Sequence, residues 1–302
     1  MGRKRIVGVG GANMDVHLKI DGEFILHDSN PGRLVLSPGG VTRNILDNLS
    51  RLGQDCSIIT AVGDDIFGDG IIRSCRERGI ETEMVLRSRD FHSSSYISLI
   101  EGDGDMFVAA CDASVLENMP LSHLEEHKER ISSADAIVCD TNLTEEQLKK
   151  LIALAGDIPL FIDPVSTAKA ARMKEFAGSF FLIKPNLMEL EVLAGMECKE
   201  DGDIEKACAM LIGKGTRRMA VSLGARGCYY ADSEGCSFFR EPLKVMDMSN
   251  ASGAGDAFTA GLVYSFVKGF SAEKTAKTAL ACGSIAVMSK ETINPDMSEA
   301  LL

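Results

Sequence analysis

The 302-residue chain contains no tryptophan and no CxxC pair, and it lacks an apolar run of about eighteen residues. Without such a run, we expect no membrane-spanning helix. Its nine cysteines are scattered, and residues 6–12 are too short and too rich in glycine for the apolar region of a signal peptide. We therefore expect reduced thiols and a cytoplasmic location.

Positive charge is also scarce, since 32 Lys and Arg residues stand against 44 Asp and Glu residues, which gives a net charge of −12. Nucleic-acid-binding proteins need a basic surface, so we expect neither nucleic acid nor a membrane as a partner. The GxxxxGK[ST] phosphate-binding sequence is absent, and Gly8-Val-Gly10 does not continue into a dinucleotide fingerprint. Phosphate binding would therefore require another glycine-rich segment.

Apolar strands and helices alternate along most of the chain, in which 45% of the residues are hydrophobic. Residues 5–10 predict a buried strand, and Gly39-Gly40 opens a segment with apolar residues at helical spacing. Further strands are predicted at residues 136–139, 160–162, 180–183 and 219–222. This pattern is typical of right-handed βαβ units around a mostly parallel sheet.

Two ranges depart from this alternation and predict short exposed strands, at about residues 14–38 and 92–112. In the second range, Gly102-Asp-Gly104 is a hairpin signal. No Pro- or Ser-rich linker divides the chain. We therefore predict one α/β domain over residues 1–302, with these strands forming a small lid.

The segment Ser252-Gly-Ala-Gly-Asp-Ala-Phe258 combines a glycine-rich turn with a helix that we predict to begin near Asp256. The N–H groups of Gly253, Ala254 and Gly255 would then point together, which suits an anion or a phosphoryl group in transfer. Asp256 would accept the proton of an attacking hydroxyl. The residues alone also allow a plain glycine turn before an acidic residue that the helix dipole favours.

The segment His123-Leu-Glu-Glu-His127 has the spacing of some zinc peptidases. It is strongly charged and has no evident further ligand. We interpret it as a solvated helix face that binds no metal.

The glycine-rich segments resemble the ribokinase (PfkB) family, which carries Gly-Ala-Gly-Asp near the C-terminus and Gly-Gly with a following Asn near the N-terminus. The second motif is Gly39-Gly40-Val-Thr-Arg-Asn44. Further matches in family order are Asn13-Met-Asp15, Val62-Gly-Asp-Asp65 with Gly68, Lys184-Pro-Asn-Leu-Met-Glu189 and Ser222-Leu-Gly-Ala-Arg-Gly227. The resemblance implies a ribokinase-like three-layer α/β sandwich with a small β lid. It also implies a kinase that uses ATP and Mg²⁺ to phosphorylate a hydroxyl group.

The resemblance implies catalytic and substrate-binding roles for individual residues. Asp256 matches the catalytic base, and Gly253, Ala254 and Gly255 match the anion hole. The matched substrate-binding residues are Asn13 and Asp15 for ribose hydroxyls, and Gly39, Gly40 and Asn44 beside the sugar. By their position in the lid, Ser95, Tyr96 and Asp112 are candidates to contact the base. The alternatives are an Asx turn after a strand for Asn13 and Asp15, and polar side chains that only face solvent for the lid residues.

The resemblance also implies a nucleotide site. The matched residues are Lys184, Ser222, Gly224, Gly227 and Cys282 for ATP, and Asn186 and Glu189 for Mg²⁺ through water. Asn186 and Glu189 would alternatively cap a helix over residues 187–194, and both interpretations can hold together. Lys184 would alternatively be a solvated strand-end lysine, the glycines a plain turn, and Cys282 an apolar helix contact.

Within the family, three segments are most similar to pseudouridine kinases, namely residues 37–53, 161–170 and 292–298. This similarity implies phosphorylation of the 5′-hydroxyl of pseudouridine. The alternatives are a kinase for another nucleoside or ribose-type sugar, and a non-catalytic nucleoside sensor. Asn250-Ala-Ser252 replaces the family's Asp-Thr-Thr, which leaves activation by a monovalent cation open. Lid strands in the family often pair between subunits, so we expect a homodimer.

Overall fold

A computed structural model describes residues 3–101, 106–243 and 252–302. The turn predicted at residues 102–104 and the substituted positions Asn250 and Ala251 lie outside the described residues. The described strands are β1 (Arg5–Val9), β2 (Asn13–Ile20), β3 (Gly32–Gly39), β4 (Asp55–Gly63), β5 (Val85–Ser88), β6 (Ser95–Ile100), β7 (Met106–Asp112), β8 (Ala136–Asp140), β9 (Leu160–Asp163), β10 (Leu182–Ile183), β11 (Arg218–Ser222), β12 (Cys228–Asp232) and β13 (Ser237–Arg240).

Helices follow most of these strands. They are α1 (Val41–Arg51), α2 (Ile66–Glu77), α3 (Ser114–Glu117), α4 (Leu121–Glu126), α5 (Lys128–Ser132), α6 (Glu145–Ala155), α7 (Thr167–Ala170), α8 (Leu187–Ala194), α9 (Asp201–Gly213), α10 (Ala254–Val267) and α11 (Ala272–Val287). Three 3₁₀ segments lie at Ala171–Ser179, Gly224–Arg226 and Glu299–Leu301. No described helix is long and apolar enough to cross a membrane.

The strands form two sheets. The larger has the order β13-β12-β11-β10-β9-β8-β1-β4-β5, and only the β11–β12 and β12–β13 pairs in it are antiparallel. The smaller has the order β3-β2-β6-β7, with a parallel pair between β2 and β6. The predicted mostly parallel α/β sheet is therefore confirmed, together with a smaller second sheet.

Buried side chains form a core on each face of the larger sheet. Val7 and Val9 of β1 point into one core, which also receives Leu148 of α6 and Leu190 of α8. Ile6 of β1 points into the other, which is completed by residues of α1, α2, α10 and α11. Because successive strand residues point to opposite faces, a strand buried on both sides gives the continuous apolar runs seen in the sequence. The architecture is thus three-layered, with helices on both sides.

Helix α1 approaches the end of β1 so closely that Gly40 has to be glycine. Its φ angle is 98°, a left-handed conformation that side chains disfavour. A Cβ atom on Gly40 would also lie only 2.5 Å from the carbonyl oxygen of Gly11. This contact brings the first turns of α1, including Asn44, beside the carboxyl end of the central strands.

Helix α2 has a side-chain cap, and the histidine motif differs from its prediction. Helix α2 begins at Ile66, where the Asp65 side chain caps it by accepting a 2.8 Å hydrogen bond from Gly68 N. His123 is buried, and its Nε2 lies 3.0 Å from the Met84 carbonyl oxygen, so it does not lie on a solvated face. Within the described ranges, no cluster of three or more His, Cys, Asp or Glu residues could hold a metal ion.

Candidate active site

Polar residues gather where the central parallel strands end. Asp140 and Asp163 are the last residues of β8 and β9, Lys184 follows β10, and Ser222 ends β11. Parallel strands share one carboxyl edge, and ligands of open α/β sheets bind there. Helix α10 begins at the same edge, so its first turn faces these side chains.

The predicted anion hole is the first turn of α10. Gly253 precedes it with a φ angle of 78°, and a Cβ atom there would overlap the Thr292 carbonyl group, so only glycine fits. The helix begins at Ala254, two residues earlier than predicted, and no side chain caps it. Its first-turn N–H groups therefore point out of the helix, toward any anion at this end.

Asp256 lies in this turn, deep in the protein but with partial access to solvent. Asn44 Nδ2 donates a 2.7 Å hydrogen bond to Asp256 Oδ2. Burial and the negative charge of Asp163 raise the pKa of Asp256 to about 7, although the Asn44 hydrogen bond and the charge of Lys184 oppose the shift. Near neutral pH the carboxyl group therefore exchanges between its acid and base forms.

Lys184 is a buried cation beside Asp256 and not a solvated strand-end residue. Its Nζ lies 2.8 Å from Asp163 Oδ2. A Cβ atom on Gly255 would lie 3.3 Å from the same Nζ, which places the ammonium group against the first turn of α10. Burial alone would lower the pKa of Lys184, but the neighbouring carboxylates, Asp163 foremost, outweigh it and raise the pKa.

Asn186 and Glu189 cap helix α8 reciprocally. Glu189 N donates to Asn186 Oδ1 at 2.9 Å, and Asn186 N donates to Glu189 Oε2 at 2.8 Å. The capping alternative from the sequence is therefore present in the structure. Burial raises the pKa of Glu189, and the negative charge of Asp163 adds to the shift.

The buried charges at this edge do not balance. Asp163, Glu189 and Asp256 bring three carboxyl groups together, while Lys184 is the cation that lies among them. A hard divalent cation with oxygen ligands would offset this excess of negative charge. Mg²⁺ usually keeps several waters and is bound through one or two carboxylates together with phosphate oxygens.

A first cavity of about 380 Å³ opens beside Asn44. It is lined by the predicted substrate-binding residues Asn13, Asp15, Gly40, Asn44, Ser95, Tyr96 and Asp112. Asn13 Nδ2 donates to Asp15 Oδ1 at 2.6 Å, and burial raises the pKa of Asp15. Gly39 does not line the cavity, but it leaves room for the Asp15 carboxylate, which a Cβ atom on Gly39 would overlap.

Sequence reasoning did not select several residues that line this cavity, among them Asn142, Ser166 and Lys169. Lys169 Nζ donates to Asn142 Oδ1 at 2.5 Å. Val165, which precedes Ser166, has a φ angle of 63°, and its N–H donates to Asp163 Oδ1 at 2.9 Å. Residues 161–170 had stood out only as a similar segment, and no pattern in them indicates which side chains reach the cavity.

A second cavity, of about 540 Å³, lies on the other side of the α10 N-terminus. Its lining includes the predicted residues Ser222, Gly224, Gly227, Ala254 and Gly255, with Phe258, Leu280, Gly283, Ser284 and Val287. For Cys282 the structure corrects the prediction. Its side chain is fully buried against α10, and the face of α11 that carries Leu280, Gly283, Ser284 and Val287 lines the cavity instead.

Asp256 itself lines neither cavity, but residues beside it line both. Asn44 lines the first cavity and donates to the Asp256 carboxylate. Ala254 and Gly255, the two residues before Asp256, line the second. A carboxyl group whose pKa is raised to about 7 thus lies next to residues that line two ligand-sized cavities, beside a helix N-terminus and a buried lysine.

Comparison with known proteins agrees with this geometry. The model of the pfkB family carbohydrate kinases matches residues 3–300. The chain is 35% identical to pseudouridine kinase of Escherichia coli, over 98% of this chain and 94% of that protein. It is 32% identical to the uncharacterized sugar kinase YeiI of E. coli, over 97% of this chain and 80% of that protein.

The fold also matches that of a solved structure. Arabidopsis thaliana ribokinase in complex with ribose and ATP superposes with a TM-score of 0.86 at 20% identity, over 98% of this chain and 96% of that chain. The resemblance that the sequence motifs carry is therefore confirmed, and so is the ribokinase-like three-layer fold. The chain belongs to the pfkB family of carbohydrate kinases, phosphotransferases that act on a hydroxyl group.

Proposed function

We propose that the protein transfers the γ-phosphoryl group of ATP to the 5′-hydroxyl of pseudouridine. The observation that carries the proposal is the position of Asp256, which is hydrogen-bonded at 2.7 Å to Asn44 in the wall of the first cavity and directly follows Ala254 and Gly255 in the wall of the second. The choice of pseudouridine is supported by the 35% identity to the E. coli pseudouridine kinase over 98% of this chain.

The first cavity suits a nucleoside. Asn13 and Asp15 lie side by side on β2 and can donate to and accept from the two ribose hydroxyls. Asp112 accepts hydrogen bonds from the Ser114 hydroxyl and N–H, which hold its pKa low and keep it a carboxylate. A carboxylate only accepts, so Asp112 suits a ring N–H of the base. Pseudouridine has two ring N–H groups and uridine has one, so such a contact would distinguish the two.

The second cavity suits ATP. Phe258, Leu280 and Val287 offer apolar surface for adenine, and the first turn of α10 offers N–H groups for phosphate oxygens. Asn186 and Glu189, with Asp163 nearby, would hold Mg²⁺ mainly through water, and the ion would neutralise charge on the phosphates. The excess of buried carboxylates over Lys184 at this edge supports that assignment.

In the proposed reaction, the 5′-oxygen forms a bond to the γ-phosphorus as the bond from that phosphorus to the β–γ bridging oxygen breaks. Asp256 accepts the proton that the hydroxyl loses, and ADP leaves with the bridging oxygen. The N–H groups of the α10 first turn and the Lys184 ammonium stabilise the charge on the transferred group. The smaller sheet, whose residues Ser95, Tyr96 and Asp112 line the first cavity, acts as a lid that excludes water.

We expect purified protein with Mg-ATP to release ADP fastest with pseudouridine among pseudouridine, uridine, adenosine, ribose and fructose 6-phosphate. The kcat/KM for pseudouridine should exceed that for uridine by at least about tenfold, because uridine lacks one ring N–H that a polar site can bind. A higher kcat/KM with another compound would refute the pseudouridine assignment. No turnover with any compound, combined with nucleoside-induced thermal stabilisation, would instead favour a non-catalytic sensor.

The pKa of Asp256 predicts the pH dependence. Asp256 acts as a base only when ionised, and its pKa in the free protein is raised to about 7. Since kcat/KM reports ionisations of the free enzyme, it should rise with pH through about 7 and then level off. Steady-state kinetics between about pH 5 and pH 9 measure this profile. A profile that is flat or falls through neutral pH would contradict the assignment of Asp256 as the base.

We also propose that the smaller sheet forms a homodimer interface. Cross-strand pairs place Leu36, Ile97 and Val108 on one face, and about half of each side chain is exposed. Light scattering should give twice the chain mass of 32.5 kDa, and Ile97→Asp should halve that value. Ile66→Asp, at an apolar residue that is 80% exposed on α2, is the control and should leave the dimer intact. A wild-type monomer would refute the interface.

A further inference from the structure

Arg43 is a buried arginine on α1 whose three guanidinium nitrogens all have partners. Only 2% of the residue is exposed. Nε donates to the Gly39 carbonyl at 2.9 Å, Nη2 donates to the Pro38 carbonyl at 2.9 Å, and Nη1 pairs with Asp47 Oδ2 at 3.3 Å. These bonds fix the plane of the guanidinium group against the end of β3 and the second turn of α1.

The same guanidinium group reaches Asp256 through one intermediate residue. Nη2 of Arg43 also donates to Asn44 Oδ1, and Asn44 Nδ2 donates to Asp256 Oδ2 at 2.7 Å. A guanidinium group has only donors, and a carboxylate has only acceptors. The Asn44 amide can therefore join them in a single orientation, with its oxygen toward Arg43 and its nitrogen toward Asp256.

We propose that Arg43 is a positioning residue for the phosphoryl transfer, which locks the Asn44 amide so that its N–H group faces Asp256 and favours the carboxylate form of that base. An amide turned by 180° would present its oxygen to Asp256, and only a protonated carboxyl group could donate to that oxygen. Arg43 opposes this turn, because its own donors would then face the amide nitrogen. The proposal rests on the proposed role of Asp256 as the base.

The pKa of Asp256 depends on the balance between the Asn44 hydrogen bond and the other groups around the carboxyl group. Burial and the carboxylates of Asp163 and Asp140 raise the pKa of Asp256, and the Asn44 hydrogen bond and the Lys184 ammonium oppose them. Loss of the amide donor would leave Lys184 as the main opposing group. The base would then be protonated over a wider range of pH. Asn44 also lines the first cavity, so the same orientation sets the donor that faces the substrate.

Two arginines of α1 allow a matched comparison. Arg43→Lys keeps the positive charge, but one ammonium group cannot hold the acceptors that the planar guanidinium group holds. Arg51→Lys makes the same chemical change at a residue that also pairs with Asp47, at 2.7 Å, and whose other hydrogen bond goes to the Pro295 carbonyl. The two variants therefore share the partner Asp47. They differ in the backbone carbonyl groups that the arginine binds and in the contact with Asn44, which only Arg43 makes.

The direct measurement is the titration of the Asp256 carboxyl carbon by ¹³C NMR, with its signal assigned from the Asp256→Asn variant. It needs no substrate, so it remains decisive even if the proposed function fails. We expect the Asp256 midpoint to move to higher pH in Arg43→Lys and to stay at the wild-type value in Arg51→Lys. Should Arg43→Lys not fold, Arg43→Gln, which loses the charge and most donors, is measured in the same way.

Kinetics supply a second readout. In Arg43→Lys, kcat/KM at mildly acidic pH should fall about tenfold, the loss expected for a hydrogen bond to a charged group, and the deficit should shrink at alkaline pH.

In an Asn44→Ala background, Arg43→Lys should give no further shift of the Asp256 midpoint. A wild-type midpoint in Arg43→Lys would overturn the proposal, as would a shift that persists without Asn44. Absence of turnover in the wild type would refute the proposed function, but it would not refute the proposed effect of Arg43 on the Asn44 amide.

Discussion

The buried carboxylate of Asp140 joins three segments that build the site. Its Oδ2 accepts hydrogen bonds from Gly11 N after β1 and from the backbone N and Oγ1 of Thr42 in α1, at 2.7–3.0 Å. Its Oδ1 accepts from Asn142 N at 2.9 Å. These bonds hold the start of α1 against the ends of β1 and β8, and Asn44 follows Thr42 on that helix. The placement of Asn44 near Asp256 therefore depends on this carboxylate, in addition to the contact of Asn44 with Arg43.

A second constraint is the imbalance of charge at the same edge of the sheet. Asp163, Glu189 and Asp256 lie near Lys184, and burial acts against the ionised forms of Glu189 and Asp256. A divalent cation would offset part of this negative charge, and the same burial and neighbouring charge raise the pKa of Asp256. In the proposed function, the cation site and the base would both arise from one arrangement of buried groups.

The sequence alone predicted the glycine-rich turn and Asp256 because a tight turn at the start of a helix requires small residues. This requirement produces a recognisable pattern in the local sequence. The capping pair Asn186 and Glu189 was predicted for the same reason. Asp163, by contrast, gains its importance from Lys184, which follows the neighbouring strand β10, and pairing between strands distant in sequence leaves no local signal. Cys282 was placed wrongly because one helical step decides whether a residue of α11 faces the cavity or the core.

The measurement that tests the central claim most directly is the rate of phosphoryl transfer by Asp256→Asn with Mg-ATP and pseudouridine. We expect kcat to fall about 10²- to 10⁴-fold, the usual contribution of a general base. Nucleotide binding and the unfolding midpoint at neutral pH should be retained, because the amide keeps the shape of the carboxyl group and removes a buried charge. Turnover near the wild-type rate would contradict the assignment of Asp256 as the base. It would also contradict the interpretation of the first cavity as the nucleoside site and the second as the ATP site.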